Sequence, residues 1–109
     1  MQRTSESQNE YRNKTWGVKY LMRGPKLDWG VILLHPGQDM GEHGHREVEE
    51  TFYFVSGAAR MIVAGKSFDA HAGDVFRLEP PERHNIRNDG AEDVKAVFIK
   101  TPYLPDDKT

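Results

Sequence analysis

Eight short runs of β-branched and aromatic residues, separated by glycine, proline or aspartate, leave this chain little room for any architecture built on long helices. They are TWGVKYLM (15–22), LDWGVILL (27–34), TFYFV (51–55), ARMIVA (59–64), KSFDA (66–70), DVFRL (74–78), HNIRN (84–88) and VKAVFIK (94–100). Short strands at such regular spacing, with turn residues between them, predict an all-β sandwich or barrel. The two residues Ala64 and Gly65 between the fourth and fifth runs predict a tight hairpin, whereas RGPK, HPGQ, PPER and NDGAED read as longer turns.

Nothing in the chain reads as a linker, so one domain over 15–104 is expected. The hydrophobic content, 37% of 109 residues, is low for a domain with a core, and the polar ends account for much of the deficit. Segments 1–14 and 105–109 hold too few apolar side chains to offset the entropy of ordering them. They are expected to be flexible tails, or to dock on a partner subunit. With no cysteine, the chain can use neither disulfides nor thiolates, so any metal must be held by imidazole and carboxylate. Fifteen basic residues against seventeen acidic ones, scattered rather than striped, give no footprint for a phosphate backbone, and nucleic acid is not expected as a partner. No charged-then-apolar leader follows Met1 and no apolar run approaches about 18 residues, so neither export nor a membrane span is expected, and a cytoplasmic location is. The triplet NKT at Asn13 matches a glycosylation acceptor only formally.

The stretch HGHREVEETFYFVSG, 43–57, crowds two of the five histidines against three acids and an aromatic run. Val48, Phe52 and Val55 would share one face of a helix. On a helix, however, positions i and i+2 point about 200° apart, whereas on a strand they share a face, so only extended backbone lets His43 and His45 grip one ion. The β-branched and aromatic residues from Thr51 to Val55 also favour a strand. Two extended segments joined by a turn near Arg46 to Glu49 are therefore predicted.

In spacing, the first constellation is Gly37, five residues, His43, one residue, His45, four residues, Glu50, six residues, Gly57; the second is Gly73, ten residues, His84, three residues, Asn88. Here the chain resembles the cupin family. The first cupin motif, G-x5-H-x-H-x(3,4)-E-x6-G, is matched at every fixed position. The second, G-x5-P-x-G-x2-H-x3-N, is matched at Gly73, His84 and Asn88, with Glu79 where the family prefers proline and Pro81 where it prefers glycine. The turn before His84 therefore cannot rely on a left-handed glycine. The interval of six residues to Gly57 selects Glu50 over Glu49.

The resemblance implies a single double-stranded β-helix of jelly-roll type, in which His43, His45, Glu50 and His84 converge on one divalent transition metal: manganese, iron, nickel, zinc, cobalt or copper. It also implies a homodimer, with Trp16, Tyr20 and Tyr53 facing either a second subunit or the opposite sheet. Strand parity sends Phe52 and Phe54 to the face of Glu50, and Ile86 and Asn88 to the face of His84. These four are expected to line a pocket, although an asparagine before Asp-Gly also suits turn chemistry. His35 and His71 read as surface residues and Glu79 as a solvated turn residue. The family's range leads to an expected metal-dependent enzyme, of dioxygenase or other oxidoreductase type, acting on a small organic molecule, with no general base identified. A non-catalytic binding or sensing module, or a sugar-isomerase-like cavity, are the alternatives.

Overall fold

All eight runs form strands. The computed structural model describes residues 1–109, and the strands are β1 (Gly17–Arg23), β2 (Asp28–Leu34), β3 (Glu49–Ser56), β4 (Ala58–Val63), β5 (Lys66–His71), β6 (Val75–Leu78), β7 (His84–Arg87) and β8 (Val94–Thr101). The only helical piece is a 3-10 turn at Glu6–Gln8. No helix is long and apolar enough to cross a membrane. Two antiparallel sheets, ordered β1-β2-β8-β3-β6 and β5-β4-β7, face each other.

Alternation along the strands builds the interior. Ile32 and Leu34 of β2, Phe52 and Phe54 of β3, Met61 of β4, Ile86 of β7, and Val94, Ala96 and Phe98 of β8 form one buried cluster. The intervening residues of β3 point outward: Tyr53 and Val55 are 47% and 43% exposed, and Val75 and Ile99 on the neighbouring strands are also exposed. The opposite fates of Phe52 and Val55 exclude the helical reading of this segment, which needed both on one face. Trp16 and Tyr20 pack against the chain's own core cluster, while Tyr53 is left in solvent.

Turn chemistry fixes the connections. Ala64 and Gly65 both have positive φ (50° and 79°) between the paired residues Val63 and Lys66, as a two-residue hairpin demands. Gly57, the last glycine of the first motif, turns β3 into β4 at φ 82°, and a Cβ there would overlap the Asp93 carbonyl oxygen. No other residue fits that position.

Both polar ends lie against the barrel. At the N-terminal end, the Glu6 carbonyl accepts a hydrogen bond from Lys19 Nζ (2.7 Å), and the Glu6 carboxylate pairs with Lys95 (2.8 Å). At the C-terminal end, Gly44 and Thr109 exchange two backbone hydrogen bonds (3.1 and 2.8 Å), and His45 bridges to Lys108. The C-terminal residues thus run beside the segment that carries His43 and His45.

Candidate metal centre

His43 and His45 lie on extended backbone between β2 and β3, Glu50 is the second residue of β3, and His84 opens β7. His43 and His84 exchange backbone hydrogen bonds (3.0 and 2.8 Å), which joins the histidine segment to the three-stranded sheet. The bend predicted near Arg46 to Glu49 falls at Arg46 and Glu47. Glu50 points inward and is buried, whereas Glu49 points outward toward Arg77 (3.9 Å), so parity separates the two acids as the motif spacing does.

Three imidazoles converge on a single carboxylate oxygen. The Nε2 atoms of His45 and His84 lie 3.1 Å from Glu50 Oε1, and that of His43 lies 3.5 Å from it. One ligating atom from each of the four residues falls within 4.8 Å of the others. Two donors held about 2.1 Å from one ion at right angles would stand about 3.0 Å apart, so these separations suit a shared centre. Each ring is held from behind by a backbone carbonyl: His43 Nδ1 by Gly41 (3.1 Å), His45 Nδ1 by Asp107 (2.8 Å) and His84 Nδ1 by Glu82 (3.3 Å).

Those carbonyls decide the protonation pattern. A carbonyl only accepts, so each Nδ1 carries the proton and each Nε2 of a neutral ring turns its lone pair inward. Three lone pairs and a carboxylate oxygen then face one another with no donor among them. Protonating every Nε2 would supply donors, but the rings are 4.4 to 6.0 Å apart. Each imidazolium pair would repel by about 3 kcal/mol at an effective dielectric of 20. A divalent cation satisfies all four donors at once, and imidazole with carboxylate is a donor set that transition metals accept. The cluster could therefore hold such an ion, with a backbone carbonyl orienting every histidine. In the ion-free alternative, with protons on the Nε2 atoms, burial pushes the Glu50 carboxyl up, but hydrogen bonds from His43, His45 and His84 and the charge of a protonated His84 outweigh it and hold the group well below the usual carboxylate range, so Glu50 is an anion in either state.

The C-terminal segment is part of this arrangement. Asp107 gives its carbonyl to His45, and its carboxylate accepts the backbone N–H groups of Arg46 (3.1 Å), Glu47 (2.8 Å) and Val48 (2.8 Å). That carboxylate fixes the bend linking His45 to Glu50. The turn before His84, which lacks the family's glycine, is closed by Glu82: its N–H reaches the Glu79 carbonyl, and its side chain accepts the Glu79 N–H. Glu79 itself is exposed.

A cavity opens onto His43, His45 and Glu50, with Val18, Met40 and Phe98 on its apolar side. The four residues expected to line the pocket are placed elsewhere. Phe54 and Ile86 are enclosed in the core, and Phe52 packs its ring against His84 (centroids 5.6 Å apart) without reaching the cavity wall. Asn88 is fully buried, donates to the Leu34 and Glu92 carbonyls and accepts from the Gly90 N–H. Its amide is consumed by the turn it begins. His35 pairs with Asp93 (2.9 Å) and His71 is exposed.

Arg12, Tyr20, Lys100 and Lys108 also reach the cavity, and sequence reasoning did not select them as pocket residues. A signal existed for Lys100, because Val94, Ala96, Phe98 and Lys100 share the inward parity of β8. Arg12 and Lys108 come from the polar ends and carried none.

The sequence matches the family model described as Cupin domain over residues 30–100, and the chain belongs to that family. Polyketide synthase CurC of Streptomyces cyaneus is 32% identical over 76 residues, covering 70% of this chain and 49% of that protein. The chain spans about half the length of the curated relatives it matches. Among solved structures, a Cupin 2 conserved barrel domain protein of Salinispora arenicola is 27% identical, with a TM-score of 0.77 over 93% of this chain and 87% of that one. An uncharacterized conserved protein of Klebsiella pneumoniae with a double-stranded β-helix domain superposes with a TM-score of 0.85, covering 100% of this chain and 96% of that one at 21% identity. The double-stranded β-helix is the fold these structures share with this chain.

Proposed function

We propose that this chain is a metal-dependent oxidoreductase of dioxygenase type, acting on a small organic molecule that enters the cavity beside His43, His45 and Glu50. The observation that carries this reading is the convergence of three Nε2 atoms on Glu50 Oε1, with every Nδ1 committed to a backbone carbonyl. Four protein donors leave positions open in an octahedral site, and a bound transition metal would supply Lewis acidity and a redox centre there. The residues do the rest. His43, His45, Glu50 and His84 would hold the ion, while Val18, Met40 and Phe98 give the substrate an apolar wall and limit water. No carboxylate or imidazole other than the three ligands lines the cavity, so the chain offers no separate acid or base of that kind.

A binding module without turnover is the second reading, and the narrowness of the cavity favours it. The space open to water is about 40 Å³, room for roughly three molecules at about 10–15 Å³ each. Turnover over a panel of small diketones, phenols and acids, with and without oxygen and with and without chelator, separates the two. Oxygen consumption abolished by chelation supports the enzyme. Ligand binding with no product from any substrate supports the module, and turnover indifferent to chelator contradicts the metal reading.

A further inference from the structure

The charges around the cavity are one-sided. Besides Glu50, which the metal reading commits to the ion, the charged groups of the wall are Arg12, Lys100 and Lys108, and none of these three forms an ion pair. Elsewhere, Arg23, Arg60, Arg77, Arg83, Arg87 and Lys95 each sit against a carboxylate. Arg3, Lys14, Lys19, Lys26, Arg46 and Lys66 are likewise without an ion pair, but Arg12, Lys100 and Lys108 are the ones that share a single cavity wall, with no anion on it except Glu50.

Lys100 is the best placed of them. It lies directly opposite Glu50 in the β3–β8 register, so the two side chains leave the sheet side by side on the same face. Its ammonium is nevertheless not paired with Glu50. It donates to the Tyr20 hydroxyl (3.0 Å) and stands off the face of that ring (5.5 Å from the centroid), half-buried. An ammonium has three donors and this contact uses one, which leaves two for a ligand. Tyr20 is fixed in turn by its edge contact with Phe98 (5.2 Å) and by the Arg23 guanidinium stacked over it (4.0 Å). The lysine is thus pre-positioned by an anchored phenol rather than swinging free.

We propose that the cavity takes a small carboxylate, of about two to four carbons given the room for roughly three waters, with Lys100 and Tyr20 as the groups that recognise its charge. This rests on the metal reading for the ligand's other contact, the ion. The charge recognition stands on Lys100, Tyr20, Arg12 and Lys108 alone. With a divalent ion held by one carboxylate, the site carries +1 and the half-buried Lys100 adds a second charge, with the exposed Arg12 and Lys108 at the rim, so an anion rather than a neutral ligand balances the cavity. A carboxylate oxygen accepts the ammonium's free donors, and the apolar side at Val18 and Phe98 suits a short carbon chain.

Calorimetric titration of glycolate and malonate, of their neutral amides glycolamide and malonamide, and of inorganic phosphate tests this on both metal-loaded and metal-free protein. The acids are expected to bind at least tenfold more tightly than the amides, with affinity falling as salt rises. Lys100→Met is expected to weaken the acids at least tenfold with metal content per chain unchanged, and Lys100→Arg to recover part of the loss. Should Lys100→Met fail to fold, Tyr20→Phe, which removes the hydroxyl and keeps the ring, is expected to weaken the acids several-fold. Amides binding as well as acids, phosphate binding in preference to both acids, or acid affinity indifferent to Lys100 and Tyr20 would overturn the proposal. Carboxylate binding that depends on Lys100 in a protein that retains no metal would sink the metal reading and leave this one standing.

Discussion

Replacing Asp107 by alanine is expected to loosen the metal from a distance. The side chain touches no ligand atom, yet its carboxylate holds the N–H groups of Arg46, Glu47 and Val48 at 2.8 to 3.1 Å, and the same residue's carbonyl holds His45 Nδ1 at 2.8 Å. Without the carboxylate, the bend between His45 and Glu50 loses three acceptor contacts and the carbonyl loses its anchor. Removing an outer partner of a ligating histidine typically costs about 10-fold to 100-fold in metal affinity. The two backbone bonds between Gly44 and Thr109 survive the substitution, so Asp107→Ala is placed near tenfold. Truncation after Leu104 removes those bonds as well and is placed near one hundredfold. Competition against a chromogenic chelator at neutral pH reads both, with circular dichroism confirming that the sheets persist. The clamp is also acid-resistant. The Glu47 N–H, then those of Val48 and Arg46 with the charge of His45, against a raising effect of burial, lower the Asp107 pKa. A depressed folded pKa means that the carboxylate's contribution is complete above the ordinary aspartate value near 3.9 and is lost only as pH falls through the lower folded value. A truncated chain that binds metal as tightly as the full one would refute the reasoning.

Glu50→Gln removes the only carboxylate of the cluster and is expected to weaken metal binding beyond the hundredfold reached by outer partners, whereas Glu49→Gln changes an outward side chain and leaves affinity within about twofold; equal effects in the chelator assay would mean that the wrong acid has been assigned. Phe54→Ala empties a fully buried site in the core and should cost about 3–5 kcal/mol of stability in urea unfolding, with metal affinity of the folded fraction retained. His35 has its pKa raised by the hydrogen bond to Asp93, against an opposing effect of desolvation, with that group's charge and the Thr15 carbonyl adding to the rise. The pair therefore stabilises the fold fully below the ordinary histidine value near 6.5 and ceases to do so as pH rises through the raised value. Asp93→Asn should bring the His35 resonance back toward the ordinary midpoint in an NMR titration, and an unchanged midpoint would remove Asp93 as the cause.

How much of this was legible follows from what alternation encodes. Period-2 patterning marked all eight strands and chose the face of Glu50, Phe52 and Phe54. The helical rival arose because Val48 and Phe52 are four apart, a spacing that satisfies both periods; only Val55, three further on, distinguishes them. The metal cluster was legible through the resemblance to the two cupin motifs, since strand parity by itself put only His43 and His45 on one face and said nothing of Glu50 or His84 joining them. The cavity wall was not, because parity says which residues face inward but not which of them reach the mouth. Phe54 and Ile86 stop in the core, Asn88 spends its amide on a turn, and Lys100, of equal parity, emerges beside Glu50. Asp107 left no trace in the sequence, since its partner His45 lies 62 residues away and nothing local distinguishes a clamp from a polar tail.

The most direct measurement is the metal content of the chain purified without chelator, determined by elemental analysis against dissolved protein mass, for the wild type and for His84→Ala. One transition-metal ion per chain in the first and a small fraction of that in the second is the predicted result. A wild-type chain with no stoichiometric metal, and no uptake of manganese, iron, nickel, cobalt, copper or zinc on dialysis, would contradict the account.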